Sequence, residues 1–122
     1  MKHQDVTEKI ISAFYAAYNT LGWGFLERVY QAAMEIELRK RGLHVIPQAP
    51  IKVLYEGVRI GEYFADLIVE DEIVLELKCF DHLLTEHTAK CLNYLKASGH
   101  KLALLINFQR SKVQLKPIVR EL

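Results

Sequence analysis

The sequence is poor in the residues that staple or interrupt chains. Its 122 residues include two cysteines, three prolines, six glycines and one tryptophan. Cys79 and Cys91 follow no paired spacing, so no disulfide framework is expected; they read as small buried apolar side chains in a reducing compartment. No apolar run is long enough to cross a bilayer, and Met1-Lys-His-Gln-Asp5 leads into an amphipathic helix pattern rather than a leader. The expectation is a cytoplasmic protein with no membrane partner. Repeats, low-complexity tracts and linkers are missing, so residues 1–122 read as a single domain. There is no glycine loop to cradle phosphate and no nucleophile elbow, and Ser12, Ser98 and Ser111 lack His/Asp partners. The aromatics are scattered through core patterns without forming a stacking platform.

Acidic residues are also missing from one long stretch. None occurs from His87 through Arg120, where Lys90, Lys96, Lys101, Arg110, Lys112, Lys116 and Arg120 are basic. The acids crowd instead at Glu62, Asp66, Glu70, Asp71, Glu72 and Glu76, although the net charge is only +1. This asymmetry suits a carboxylate centre beside a phosphate-facing surface. It equally suits lysines that solubilise a helix and a sheet edge.

With 51% hydrophobic residues the chain has room for a modest core. A first helix, capped by Asp5 or Thr7, is expected to run to about Thr20. Leu21-Gly-Trp-Gly24 breaks it, with Trp23 as a lid over the core or a ligand contact. A second helix is expected from about Phe25 to Arg41, its apolar face including Leu26, Val29, Tyr30, Ala33, Met34, Ile36 and Leu38, with Gly42 as its stop. Short strands follow at Leu43–Ile46, ending at Pro47, and at Ile51–Tyr55, turning at Glu56-Gly57. The next strand spans Val58–Val69, bent at Gly61. Residues 81–84 connect to a helix opened by Thr85, with Leu92 and Leu95 inward. Leu102–Ile106 is a strand covered on both faces, and Val113–Val119 is an edge strand interrupted by Pro117. The pattern defines an α/β protein with a central mixed β-sheet flanked by α-helices.

The chemistry concentrates between Asp66 and Lys78, in DLIVEDEIVLELK. Two β-branched runs flank the polar knot Glu70-Asp71-Glu72 and predict a hairpin. If the turn centres on Asp71, paired residues sum to 142, so Asp66 lies opposite Glu76 and Lys78 shares their face. Leu75, Leu77 and Cys79 then point to the core, and an even-length loop would reverse the whole set. Two opposed carboxylates repel, and a divalent cation held by oxygens compensates. A lysine beside them is placed to position or help activate an attacking water. A solvated edge explains the same residues without chemistry. Glu27 sits in a first helical turn, which favours an anion in any case, and it shares a face with Tyr30. His82, His87 and Cys91 have zinc-like spacing but no evident fourth ligand.

Gly24-Phe-Leu-Glu27-Arg-Val-Tyr30 resembles the signature of the GxxExxY proteins, a group within the PD-(D/E)XK nuclease-like superfamily. Glu37–Gly42, Gln48 with Pro50 and Ile51, Tyr55-Glu-Gly57, Ala65-Asp66-Leu67, Glu76-Leu-Lys78, Tyr94–Gly99 and Leu105-Ile-Asn-Phe108 look like further blocks of that family in the same order. The resemblance implies a restriction-endonuclease-like core of α-β-β-β-α-β type and a nuclease hydrolysing phosphodiester bonds. Asp66 and Glu76 would bind Mg²⁺, with Mn²⁺ as an alternative ion, and Glu27 would complete the site. Lys78 would position or activate water, while Gln48, Lys90, Tyr94 and His87 would meet substrate, DNA rather than RNA. A homodimer is among the arrangements it allows. Two positions depart from the pattern. Lys90 replaces the glutamine that usually precedes Tyr94 by four residues, and Phe64 stands where relatives carry a more polar residue. Lys90 either clamps phosphate or pairs with Asp66 or Glu76 in place of the cation. The second outcome would leave a nuclease-fold module that binds nucleic acid or a protein partner without catalysis.

Overall fold

A computed structural model describes residues 2–80, 85–109 and 114–120. The connection expected at 81–84, the zinc candidate His82, the basic residues Arg110 and Lys112, and Val113 lie outside the described residues. Helices α1 (Lys2–Leu21) and α2 (Glu27–Lys40) come first, followed by β1 (Val45–Tyr55), β2 (Val58–Val69) and β3 (Ile73–Lys78). Helix α3 (Thr85–Ser98), β4 (Leu102–Asn107) and β5 (Gln114–Val119) complete the order. The five strands form one mixed sheet in sequence order. Only β3 and β4 run parallel, because α3 carries the chain between them; the other neighbours are antiparallel.

Helices cover both faces. Ile10, Phe14, Tyr30, Met34 and Leu38 from α1 and α2 share one core with Leu67, Leu75, Leu77 and Ile106. Cys91, Tyr94 and Leu95 from α3 share the second with Ile68, Val74, Ala103 and Leu105. The apolar residues of β3 and β4 are therefore covered from both sides, which includes the cover expected on Leu102–Ile106, although β3 also carries Glu76 and Lys78.

Several boundaries differ from expectation. Helix α1 starts at Lys2, so Asp5 and Thr7 lie inside it rather than capping it. The apolar stripe of α2 is narrower than its pattern: Tyr30, Met34 and Leu38 are fully buried, while Leu26 and Ile36 are more than 60% exposed. Leu92 is also exposed, and Leu95 alone of the expected pair points inward. The two short strands before Glu56 are one long strand that passes through Pro47 and Gln48. Pro47 is tolerated because β1 is a sheet edge. Gln48 adopts a left-handed backbone (φ 47°), and around it β1 changes faces: Val45 belongs to the α1/α2 core, Ala49 and Ile51 to the α3 core. The outer β1–β2 arm therefore curls toward α3. Its register slips between Val53 and Leu54, beside the expected bend at Gly61.

Candidate active site

The β2–β3 loop holds Glu70, Asp71 and Glu72, with Glu70 and Asp71 both left-handed and the Glu72 N–H donating to the Val69 carbonyl at 3.0 Å. The loop is odd in length, and the pairs Leu67–Leu75, Ile68–Val74 and Val69–Ile73 all sum to 142. Regular pairing then stops, because β2 and β3 part at Asp66 and Glu76. Side chains fill the gap. The Asp66 N–H donates to Glu76 Oε1 at 3.2 Å, and the Leu77 N–H donates to Asp66 Oδ2 at 2.7 Å. Each carboxylate thus replaces a missing rung of the ladder and keeps its second oxygen for other work.

Burial dominates the electrostatics. Glu76 is only 4% exposed. Desolvation, reinforced by the charge of Asp66, pushes its carboxyl up to about 8, against the pull of the Asp66 N–H, Lys78 and Lys90. Asp66 is also raised, by desolvation first, while the Leu77 N–H, Lys78, the Gln48 amide and Lys90 favour its charged form. The pair holds a proton near neutral pH because two adjacent buried anions are costly. Burial also raises the neighbouring Tyr94 phenol and pushes the Cys91 thiol up to about 12. Cys91 is therefore an inert thiol packed in the α3 core.

Lys78 is half-buried at the end of β3, where its charge reaches both carboxylates. Its backbone is held from the β4 side: the Phe108 N–H donates to the Lys78 carbonyl at 2.9 Å. Fully buried Asn107 continues the clamp. Its Nδ2 donates to the Phe80 carbonyl at 2.8 Å and its Oδ1 accepts from the Phe80 N–H at 2.9 Å. Asn107 stood inside a matched block, yet nothing in its spacing marked it as the support for Lys78. A single polar residue closing an otherwise apolar strand was the available signal.

Gln48 falls opposite Asp66 in the β1–β2 register, and its Nε2 donates to Gln31 Oε1 of α2 at 2.9 Å. It thereby links the second helix to the carboxylates. Lys90 is exposed on α3, its ammonium 5.8 Å from the centre of the Tyr94 ring. Among the described residues no ion pair closes between Lys78 or Lys90 and either carboxylate. His87 stacks on Phe80 with ring centres 5.0 Å apart, beyond the end of β3.

Glu27 opens α2 and is half-buried. The loop before it is tied by Tyr30, whose hydroxyl donates to the Gly22 carbonyl and accepts from the Phe25 N–H. The Tyr30 ring stacks on Phe108 at 4.1 Å. Gly24 has φ 104°, a conformation that favours glycine. The glycine, glutamate and tyrosine of this stretch are thus a loop, a helix start and the anchor that fixes them together. Glu27 lies close enough to Cys79 to raise its thiol further, after burial. Among the described residues it does not join Asp66 and Glu76 in a metal-holding group of three His, Cys, Asp or Glu. Trp23 is 54% exposed, so it is not a lid over the core.

The chain belongs to the PD-(D/E)XK nuclease superfamily, whose family model matches residues 4–120. The crystal structure of SSO0001 is similar, with a TM-score of 0.63 and 19% identity over 98% of this chain. The chain spans 60% of the length of that protein, and the likeness is one of fold. No curated protein matches it. The mixed sheet with helices on both faces is the restriction-endonuclease-like α/β arrangement. No helix among the described residues is long and apolar enough to cross a membrane.

The donors present suit a small hard cation. Two carboxylate groups from neighbouring strands converge, and β3 adds a backbone oxygen. The Leu77 N–H points toward Asp66, and an extended residue directs its carbonyl to the same edge. Mg²⁺ is commonly held by one or two carboxylates and keeps several waters. Two acids therefore suffice for that ion, whereas a structural zinc site would need four protein ligands.

Proposed function

We propose that the protein is a metal-dependent nuclease of the GxxExxY group, hydrolysing phosphodiester bonds in nucleic acid, DNA rather than RNA. The observation that carries the reading is the meeting of Asp66 and Glu76 at the parting of β2 and β3, with Lys78 two residues along β3. Asp66, Glu76 and the Leu77 carbonyl hold the ion, Mg²⁺ or Mn²⁺. When bound, the ion neutralises charge developing on the phosphate. Lys78 orients the attacking water, and its ammonium favours the deprotonated form of both carboxylates. Glu27 stands at the α2 side of the site, and Gln48 steadies Asp66. Lys90 meets backbone phosphate, supported by Tyr94, and His87 offers a further phosphate contact. The Gly24, Glu27 and Tyr30 motif supports the narrower family placement.

A second reading, a nuclease fold that binds nucleic acid without cutting it, is favoured by Lys90 standing in the glutamine position. Against it, Lys90 lies over Tyr94 and not in an ion pair with the carboxylates. Calorimetric titration of Mn²⁺ into the wild type and Asp66→Asn, followed by a nuclease assay, tests both. The nuclease reading expects Mn²⁺ binding and cleavage that both vanish in the variant. Binding of Mn²⁺ without cleavage of any DNA or RNA would favour the second reading, and failure to bind Mn²⁺ would end the first.

A further inference from the structure

A cleft in the described structure lies away from the carboxylates, between the curled β1–β2 arm and the C-terminal half of α3. Its volume is about 480 Å³, and its lining includes Lys52, Tyr63, Asn93 and Lys96. This is within the usual size of a small-ligand site. No acidic residue lines it. Glu62 pairs with Lys52 in the β-sheet register, but its carboxylate is engaged by Arg59 at 2.8 Å. Among the described residues neither Lys52 nor Lys96 is in an ion pair, and both are exposed.

One ring contact links the lining of the cleft to the candidate active site. The Tyr63 ring packs on the Tyr94 ring at 5.4 Å, and the Tyr94 phenol feels the charges of Glu76 and Asp66. Lys90, Asn93 and Lys96 are exposed at three-residue intervals along α3, and the last two line the cleft. Tyr63 is nearly half exposed and presents ring surface there. Two cations, an aromatic face and a side-chain amide, with no anion, are complementary to a phosphate and an unstacked base. A cleft of about 480 Å³ between a β-arm and a helix is the size of a small-ligand site, which suits a nucleotide of one strand better than a duplex.

Resting on the nuclease reading of the carboxylate site, we infer that this cleft binds a single-stranded stretch of the nucleic acid substrate. One backbone phosphate lies between Lys52 and Lys96, and one base stacks on Tyr63. The substrate class is accordingly nucleic acid with an unpaired arm or end beside the scissile bond.

The test is fluorescence anisotropy with a labelled oligothymidylate of about ten nucleotides and a hairpin duplex of the same length, in EDTA so that no cleavage intervenes. Wild type, Lys52→Gln, Lys96→Gln, Tyr63→Leu and Tyr63→Phe are compared, and Mn²⁺ titration checks each. Each lysine variant should flatten the salt dependence of single-strand binding by about 0.7 in log–log slope. Tyr63→Leu should weaken it roughly tenfold with the slope unchanged, and Tyr63→Phe should keep most of the affinity. Duplex binding and Mn²⁺ binding should not move. If wild type cleaves nucleic acid and binds Mn²⁺ but all variants bind the oligonucleotide alike, the cleft assignment falls and the nuclease reading stands. If duplex affinity falls in step with single-strand affinity, the preference for an unpaired strand is overturned. If wild type takes neither oligonucleotide nor Mn²⁺, both readings fall together.

Discussion

Asp66 and Glu76 cap each other's strands: the Asp66 N–H donates to Glu76 Oε1, and Asp66 Oδ2 accepts from the N–H of Leu77, the next residue after Glu76. The two side chains therefore serve structure and chemistry at once. They satisfy backbone donors that the parting strands leave open, and in doing so they hold two acids side by side at the sheet centre. Folding energy is what keeps the acids together.

That arrangement makes stability depend on pH in a definite direction. The Glu76 carboxyl is near 4.5 unfolded and about 8 folded. Between those values the folded state holds a proton that the unfolded state does not. Stability from this group is therefore full below about pH 4.5 and is lost as pH rises toward 8. Glu76→Gln keeps an oxygen for the Asp66 N–H and removes the repulsion. It should be more stable than wild type at pH 8 by at least about 1 kcal/mol, with no gain at pH 4.5. Urea unfolding of both proteins at pH 4.5, 6 and 8 measures this, and a variant less stable at pH 8 would contradict it.

Metal binding should show the opposite pH trend. A cation must displace the proton on Glu76, so Mn²⁺ affinity should fall roughly tenfold per pH unit below 8. About one proton should be released per ion at pH 7. Titrations in buffers of different ionisation enthalpy count that proton. Affinity independent of pH between 6 and 8 would mean that Glu76 is not a ligand.

Tyr30 holds the loop that launches α2. Tyr30→Phe keeps the stack on Phe108 and loses only the hydroxyl's bonds to Gly22 and Phe25, so it should cost about 1 kcal/mol. Tyr30→Ala empties a fully buried site and should cost about 3–5 kcal/mol. If Glu27 works in the site, Tyr30→Phe should also lower cleavage more than it lowers stability, read as rate at a temperature where both proteins are fully folded.

Asn107 is the corresponding anchor for Lys78. Asn107→Leu leaves the N–H and carbonyl of Phe80 without their partners and should destabilise by about 1–3 kcal/mol. It should lower the cleavage rate by shifting the end of β3 while leaving Mn²⁺ affinity close to wild type, since Asp66 and Glu76 are capped independently. Loss of metal binding in the folded variant would show that the two ends of β3 are not separable.

The hairpin was legible because it is local. Polar residues between β-branched runs marked the loop and left its parity open; the odd loop of the structure sets the register that leads to Asp66 and Glu76. The burial of Leu102–Ile106 on both faces followed from its composition. What spacing does not carry is long-range. The merger of two short strands through Pro47 depends on β1 being an edge, and the change of face at Gln48 depends on a left-handed residue that glutamine does not advertise. Ile36 followed the helical period of α2 but is 61% exposed among the described residues. The cleft at Lys52 and Lys96 joins residues from an arm and a helix that sequence leaves far apart.

Glu76 stands only ten positions after Asp66 along the chain. Closing so short a loop costs little entropy, so this contact is available early in folding, before the α3 crossover joins β4 to β3. The pairing is local, but most of the cost of its charges arrives with burial, when α3 and β4 cover the pair. A proton or a divalent cation relieves it at that stage, which makes the surrounding solution a participant in how fast the chain reaches its native sheet, besides what the sheet does afterwards.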